Sequence, residues 1–202
     1  GRGGVNRLGL YDDKQIPEHR KMTKAVHKAG SPICAQLHHG GSTVSMGAVG
    51  QYPISCSTVP LLTKGEPFLG NIPRRLSEEE IEALVEKFAE AARRAEMAGF
   101  DAMMIHAAHG YLINSFLSPH TNKRHDKYGG NDENRARFLI EIVRRIRHEL
   151  GPEVPIMIRL TGEELFDGGY GIDFMQRLAR WLQDEGVNEI NVSAGNYEEI
   201  ER

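Results

Sequence analysis

Residues 77–111 read SEEEIEALVEKFAEAARRAEMAGFDAMMIHAAHGY, which predicts an amphipathic helix followed at once by a buried strand. Ser77 and Glu80 have the spacing of a capping box, so the helix should begin there. Its apolar residues recur with helical spacing at Ile81, Leu84, Val85, Phe88, Ala91, Ala92 and Ala95. Gly99 ends the helix, and the short apolar run at 101–106 favours a strand. This stretch therefore predicts a helix–strand unit of an α/β fold.

The same alternation extends along the chain. Further helices are predicted at 18–29, 133–150 and 173–185, and further strands at 33–37, 154–160 and 189–193. Helices between successive strands imply a parallel sheet, which is compatible with an open doubly wound sheet or a (β/α)8 barrel. The pattern alone leaves both open, but in both architectures functional sites lie at the carboxyl ends of the strands.

Residues 40–75 are rich in Gly, Ser, Thr and Pro and show no sustained period. This predicts a long loop, with a small hairpin expected around 52–59. A loop of that length usually covers a binding site.

The bulk composition excludes several classes of protein. The 202 residues carry 25 basic and 28 acidic side chains in mixed order, which gives no basic surface for nucleic acid or an anionic membrane. No apolar run approaches the roughly 18 residues of a membrane span. Cys34 and Cys56 form no CxxC pair, so this stretch holds neither a zinc knuckle nor an iron–sulfur cluster. We expect a reduced, cytoplasmic protein with a small-molecule substrate, and leave a homo-oligomer open.

Polar side chains stand at the end of every predicted strand. They are Gln36, His38 and His39 after the first, His106, His109 and Tyr111 after the second, Arg159 on the third, and Asn191 and Ser193 on the fourth. Because the carboxyl ends of parallel strands meet at one edge of a sheet, this joint placement indicates a site.

Three chemistries could use these residues. A metal hydrolase would want a carboxylate ligand, which the strand ends lack, and Arg159 would repel a divalent cation. An aldolase would want a strand-end lysine, and none is present. An organic cofactor fits best, because the Gln36 amide can both donate and accept and Arg159 can stabilise negative charge.

Residues 105–138, IHAAHGYLINSFLSPHTNKRHDKYGGNDENRARF, resemble the signature of the Old Yellow Enzyme family of FMN oxidoreductases. The run Gln36-Leu37-His38-His39-Gly40-Gly41 is similar to another strand end of that family, as are Arg159-Leu160 and residues 192–195. The resemblance implies a TIM barrel, FMN, and reduction of activated C=C bonds of enones or enoates with NADH or NADPH.

The resemblance also implies roles for individual residues. Gln36 and Arg159 would hold the flavin, and His106 and His109 would bind the activating oxygen of the substrate. Tyr111 would protonate Cα as flavin N5 delivers hydride to Cβ. One helical turn after the strand is expected to bring the two histidines to the same side. The remainder of the signature, including Arg124, the turn at Gly129-Gly130 and a helix cap at Asn131, is expected to be structural.

The chain departs from the family pattern in two respects. Ser42 stands where the family usually has Arg. No segment matches the first or the last barrel strands, so residues 1–202 are predicted to be an incomplete FMN-binding barrel domain comprising about strands 3–6. Activity of this chain alone and an iron–sulfur cluster in the absent C-terminal part are left open. Alternatives are the amine dehydrogenase and NADH oxidase branches, a non-catalytic barrel fragment, and the metal-dependent hydrolase.

Overall fold

A computed structural model describes residues 7–196, except for the side chains of 48 and 49. The helices are α1 (Ile16–Lys28), α2 (Met46–Val49), α3 (Glu78–Met97), α4 (Leu112–Leu117), α5 (Asp132–Leu150) and α6 (Ile172–Asp184). The strands are β1 (Cys34–Leu37), β2 (Ile54–Ser55), β3 (Leu62–Thr63), β4 (Glu66–Pro67), β5 (Arg74–Arg75), β6 (Ala102–Ala107), β7 (Ile156–Thr161) and β8 (Glu189–Ser193).

The central sheet has the order β1-β6-β7-β8, and all of its pairs are parallel. Its four strands are the four predicted from the sequence, and a long helix lies between each strand and the next along the chain. The predicted α/β fold is thus confirmed. The strands of the sheet stand in chain order, as they do in a segment of a (β/α)8 barrel.

The two faces of the sheet differ sharply in burial. One face packs against the helices and is almost wholly inaccessible at Ala35, Leu37, Met103, Ile105, Ala107, Ile156, Ile158 and Leu160. The opposite face carries Gln36, His106, Arg159 and Asn191, since side chains alternate along a strand. The hydrophobic core therefore lies between the sheet and its helices, and the polar face is left to form a site.

The two helix caps predicted at Ser77 and Asn131 are confirmed. Ser77 Oγ accepts from the Glu80 backbone N–H at 3.2 Å, and Glu80 Oε2 accepts from the Ser77 N–H at 2.9 Å. Asn131 caps α5 by accepting from the Asn134 N–H at 2.9 Å. Both caps satisfy backbone donors that have no partner inside the helix.

The prediction of a hairpin around 52–59 was wrong. The antiparallel pair is β3 with β4, whereas residues 54–55 pair in parallel with 74–75. Lys64 and Gly65 form the two-residue connection, with φ of 54° and 77°. Positive φ at both positions matches the twist of a tight hairpin, and glycine at the second position favours it.

The signature residues after α4 hold the loop that leads to α5. The Arg124 guanidinium, only 2% exposed, donates to the carbonyls of Cys56 at 2.9 Å and Leu76 at 2.7 Å and to the Asp126 carboxylate. A Cβ at Gly129 would lie 2.5 Å from the Arg124 carbonyl oxygen, so the chain can pass there only as glycine. These contacts are structural, as the sequence predicts.

Candidate active site at the carboxyl ends of the strands

The polar residues of the sheet lie in two layers. His106 pairs in register with Arg159, and Arg159 with Asn191, which puts the three at one level. Gln36 pairs with Met104, one layer closer to the amino ends of the strands, and its amide donates to Met104 Sδ at 3.1 Å. We call the Gln36 layer the floor of the site, and the layer of His106, Arg159 and Asn191 its polar rim.

Four aromatic rings form a cluster on this rim. The Tyr111 ring centroid lies 4.3 Å from that of His38 and 4.9 Å from that of His106, both edge to face. The His106 centroid lies 5.2 Å from that of His38 and 5.1 Å from that of His109. The structure therefore brings together His38, His106, His109 and Tyr111, which we call the ring cluster.

The backbone that brings His109 to His106 is not the helical turn expected from their spacing. The strand β6 runs to Ala107, and then His109 and Gly110 take left-handed conformations with φ of 62° and 74°. A residue with a Cβ seldom adopts this conformation. The proximity of the two rings was predicted correctly, but the local structure was not.

Close backbone approach joins the loop after β1 to α4. At Gly41, where φ is 63°, a Cβ would lie 2.9 Å from the Leu112 backbone, and the Leu112 N–H donates to the His39 carbonyl at 3.1 Å. This contact brings the end of β1, with His38, against Tyr111 at the start of α4. Only a glycine permits that distance.

His39 has a different environment from the other strand-end histidines. Its Nδ1 accepts from the Gly41 N–H at 3.1 Å, which stabilises the turn after β1. The sequence could not separate His39 from His38, since both follow the same strand.

Arg159 carries the unsatisfied donor of the site. Its Nε is buried and has no hydrogen-bond partner among the residues the structure describes, while Nη2 lies 3.4 Å from Ser193 Oγ. Ser193 Oγ in turn lies 2.7 Å from His109 Nε2. A buried N–H without a partner is costly, so its presence beside a polar rim indicates a ligand acceptor.

The imidazoles of the ring cluster are held neutral. Burial, reinforced by His38, His109 and Arg159, lowers the pKa of His106 to about 3. Burial likewise lowers the pKa of His38 to about 4, and burial and Arg159 lower the pKa of His109. At neutral pH each ring can therefore act as both donor and acceptor, and Arg159 supplies the positive charge.

The lowered pKa values of the ring-cluster histidines predict that acid destabilises the fold. Unfolded histidines take up protons below about pH 6.5, whereas folded His106 stays neutral until about pH 3. Its contribution to stability is complete above pH 6.5 and is lost as the pH falls toward 3. His106→Gln should therefore flatten the decline of the unfolding free energy below pH 6.5 by up to ~1.4 kcal/mol per pH unit. Urea unfolding of both proteins from pH 7 to 4 measures this, and parallel curves would contradict it.

Between residues 7 and 196, no group of three or more His, Cys, Asp and Glu side chains is arranged to hold a metal ion. In the same range, no helix has both the length and the apolar character needed to cross a membrane.

The fold and the site together define a class: part of a (β/α)8 barrel with a cluster of polar residues, its candidate site, at the carboxyl ends of the strands. The chain belongs to the NADH:flavin oxidoreductase / NADH oxidase family, whose model matches residues 1–202. The resemblance to the Old Yellow Enzyme family is thereby confirmed.

Individual relatives agree with this assignment. The chain is 41% identical over 201 residues to an NADH oxidase of Thermoanaerobacter brockii, covering 99% of this chain and 30% of that protein. A 2-naphthoyl-CoA reductase structure in complex with 2-naphthoyl-CoA superposes with a TM-score of 0.89 at 30% identity, covering 98% of this chain and 31% of that one. An Old Yellow Enzyme homologue from Zymomonas mobilis superposes with a TM-score of 0.82 at 34% identity, covering 91% and 54%. The chain thus spans between about a third and about half of these relatives.

Proposed function

We propose that this chain is the central part of an FMN-dependent oxidoreductase that reduces activated C=C bonds of enones or enoates with NADH or NADPH. The observation that carries the proposal is the ring cluster of neutral imidazoles and a phenol beside the unsatisfied Arg159 donor. Neutral donors next to a fixed cation suit an organic substrate on which negative charge develops.

The residues present fit FMN. Arg159 Nε is a buried donor without an acceptor among the described residues, and Gln36, an exposed residue, lies on the same face of the sheet. A guanidinium and an amide can together hold a ring edge that presents both acceptors and donors. Bound there, FMN would supply the hydride that the protein side chains cannot.

The ring cluster would handle the substrate. Neutral His106 and His109 would each donate to the activating oxygen and stabilise the charge that develops on it as the double bond is reduced. Tyr111 would transfer its phenolic proton to Cα, since an enolate carbon is basic enough to take it.

We propose also that further residues of the same polypeptide complete the barrel. Val192 on the edge strand β8 is 71% exposed, and Gln36 and Glu189 on the polar face are also exposed. An open sheet edge is a ready site for another strand. The greater length of the relatives supports this reading.

The proposal is tested with the full-length protein. It should show stoichiometric flavin absorbance that NADH or NADPH bleaches and an enone restores under anaerobic conditions. His106→Ala should retain flavin and weaken binding of a phenol, which mimics the enolate, by about 10-fold or more, because a donor to a charged oxygen is lost. The exposed His125→Ala serves as the matched control. A colourless full-length protein, or unchanged phenol affinity in His106→Ala, would count against the proposal.

A second candidate is oxidation of NADH with oxygen as the acceptor. The similarity to an NADH oxidase favours it. Comparing NADH consumption in air with and without an enone discriminates between the two: an enone-independent rate that matches the enone-dependent rate favours the oxidase.

A further inference from the structure

The left-handed turn at His109-Gly110 is surrounded by buried polar side chains that have no role in the proposed chemistry. They come from three different elements: Asn114 on α4, Thr161 at the end of β7, and Tyr170 in the loop before α6. Asn114 and Thr161 are wholly inaccessible, and Tyr170 is 3% exposed. Because buried polar groups are nearly always hydrogen-bonded, each of these three side chains is expected to have a hydrogen-bond partner.

Their partners form a closed path around the turn. The His109 backbone N–H donates to Thr161 Oγ1 at 3.1 Å, and the Gly110 N–H donates to Asn114 Oδ1 at 2.6 Å. Asn114 Nδ2 donates to the Tyr170 hydroxyl at 2.9 Å, and that hydroxyl donates to the Thr161 carbonyl at 3.1 Å. Both backbone donors of the turn are therefore held by side chains that are themselves linked.

The backbone conformation of His109 requires support from its surroundings. A residue with a Cβ is sterically disfavoured at φ of 62°, so this conformation persists only where the surroundings hold it. The Thr161 hydroxyl is the side-chain group that holds the His109 amide itself. Held in this way, the His109 ring reaches Ser193 Oγ at 2.7 Å and lies 5.1 Å from the His106 ring.

We propose that Thr161 is a positioning residue for the reaction: its hydroxyl fixes the left-handed backbone of His109 and thereby aims the imidazole at the substrate oxygen. This rests on the proposed function, in which His109 binds that oxygen. Asn114 and Tyr170 support the same turn from the Gly110 side.

The test is a double-mutant cycle on phenol binding in the full-length flavoprotein, measured by calorimetry. Thr161→Val keeps the shape of the side chain but removes the hydroxyl, which accepts from the His109 N–H and donates to the Gly195 carbonyl at 3.5 Å. The variant should weaken phenol binding about 10-fold. Thr161→Ser keeps the hydroxyl and should bind the phenol like the unmodified protein. In a His109→Ala background, Thr161→Val should have no further effect, because its influence passes through the ring that is absent. Thermal unfolding of each variant reports the fold separately.

The remaining outcomes of this experiment distinguish failure of the positioning role of Thr161 from failure of the substrate role of His109. Unchanged affinity in Thr161→Val, equal losses in Thr161→Val and Thr161→Ser, or an undiminished loss in the His109→Ala background would overturn the positioning role and leave the proposed function standing. Unchanged affinity in His109→Ala would overturn the substrate role of His109, and the positioning proposal with it.

Discussion

Tyr111→Phe in the full-length protein is expected to slow reduction of the C=C substrate by about 10²- to 10⁴-fold, the range typical of a lost general acid. Reduction of the flavin by the nicotinamide should proceed at its original rate, because that step needs no proton from Tyr111. Phenylalanine preserves the edge-to-face packing of the ring against His38 and His106, at centroid distances of 4.3 Å and 4.9 Å. The substitution therefore removes the hydroxyl and leaves the packing in place.

Rapid mixing under anaerobic conditions separates the two half-reactions and measures each rate alone. Tyr11→Phe is the matched control, since Tyr11 is 51% exposed and lies outside the ring cluster. Equal slowing of both half-reactions would remove Tyr111 from the acid role and indicate a general disturbance of the flavin site.

Arg124→Met is expected to destabilise the protein by about 3–5 kcal/mol, the cost of breaking a buried ion pair by removing one partner. The Arg124 side chain is 1% exposed and lies 2.7 Å from Asp126, whose side chain is 18% exposed. Its loss would leave that carboxylate without its closest cation and the carbonyls of Cys56 and Leu76 without their donor. Methionine retains much of the apolar stem, so lost packing contributes little.

The chain contains a matched control for this prediction. Arg75 pairs with the same Asp126 oxygen at 3.0 Å, but its side chain is 50% exposed. Arg75→Met should therefore cost less than about 1 kcal/mol, as exposed ion pairs do. Urea unfolding of both variants measures the difference, and similar losses would show that burial does not set the strength of these pairs.

The helices and strands could be predicted because their signals are local. The capping box at Ser77 and the apolar spacing that follows it depend on residues within one element, and α3 begins and ends close to the predicted positions. The helix α4 was not predicted from the sequence, because every residue from 112 to 117 is buried and no polar face marks the helix. Prediction failed also at the hairpin. The Lys64-Gly65 turn is a weak signal, and the proline-rich sequence around it obscures it.

The candidate site was predicted in outline for a similar reason. The carboxyl ends of parallel strands must meet, so residues at those ends were expected to converge, and His38, His106, His109 and Tyr111 do so. No local pattern singles out Thr161 or Asn114, which resemble ordinary residues of a strand end and a loop. Their importance depends on hydrogen bonds between elements far apart in the chain.

The α/β alternation, the family and the polar residues at the strand ends could be predicted from the sequence, because periodicity, caps and motifs are properties of neighbouring residues. Packing between distant elements determines that His38 joins the ring cluster while His39 stabilises a turn, and that His109 reaches His106 through a left-handed turn. Those outcomes depend on close approaches, such as Gly41 against Leu112, which arise only when separate elements pack. The direction of a side chain at a strand end is therefore set by the conformations that the packed backbone allows.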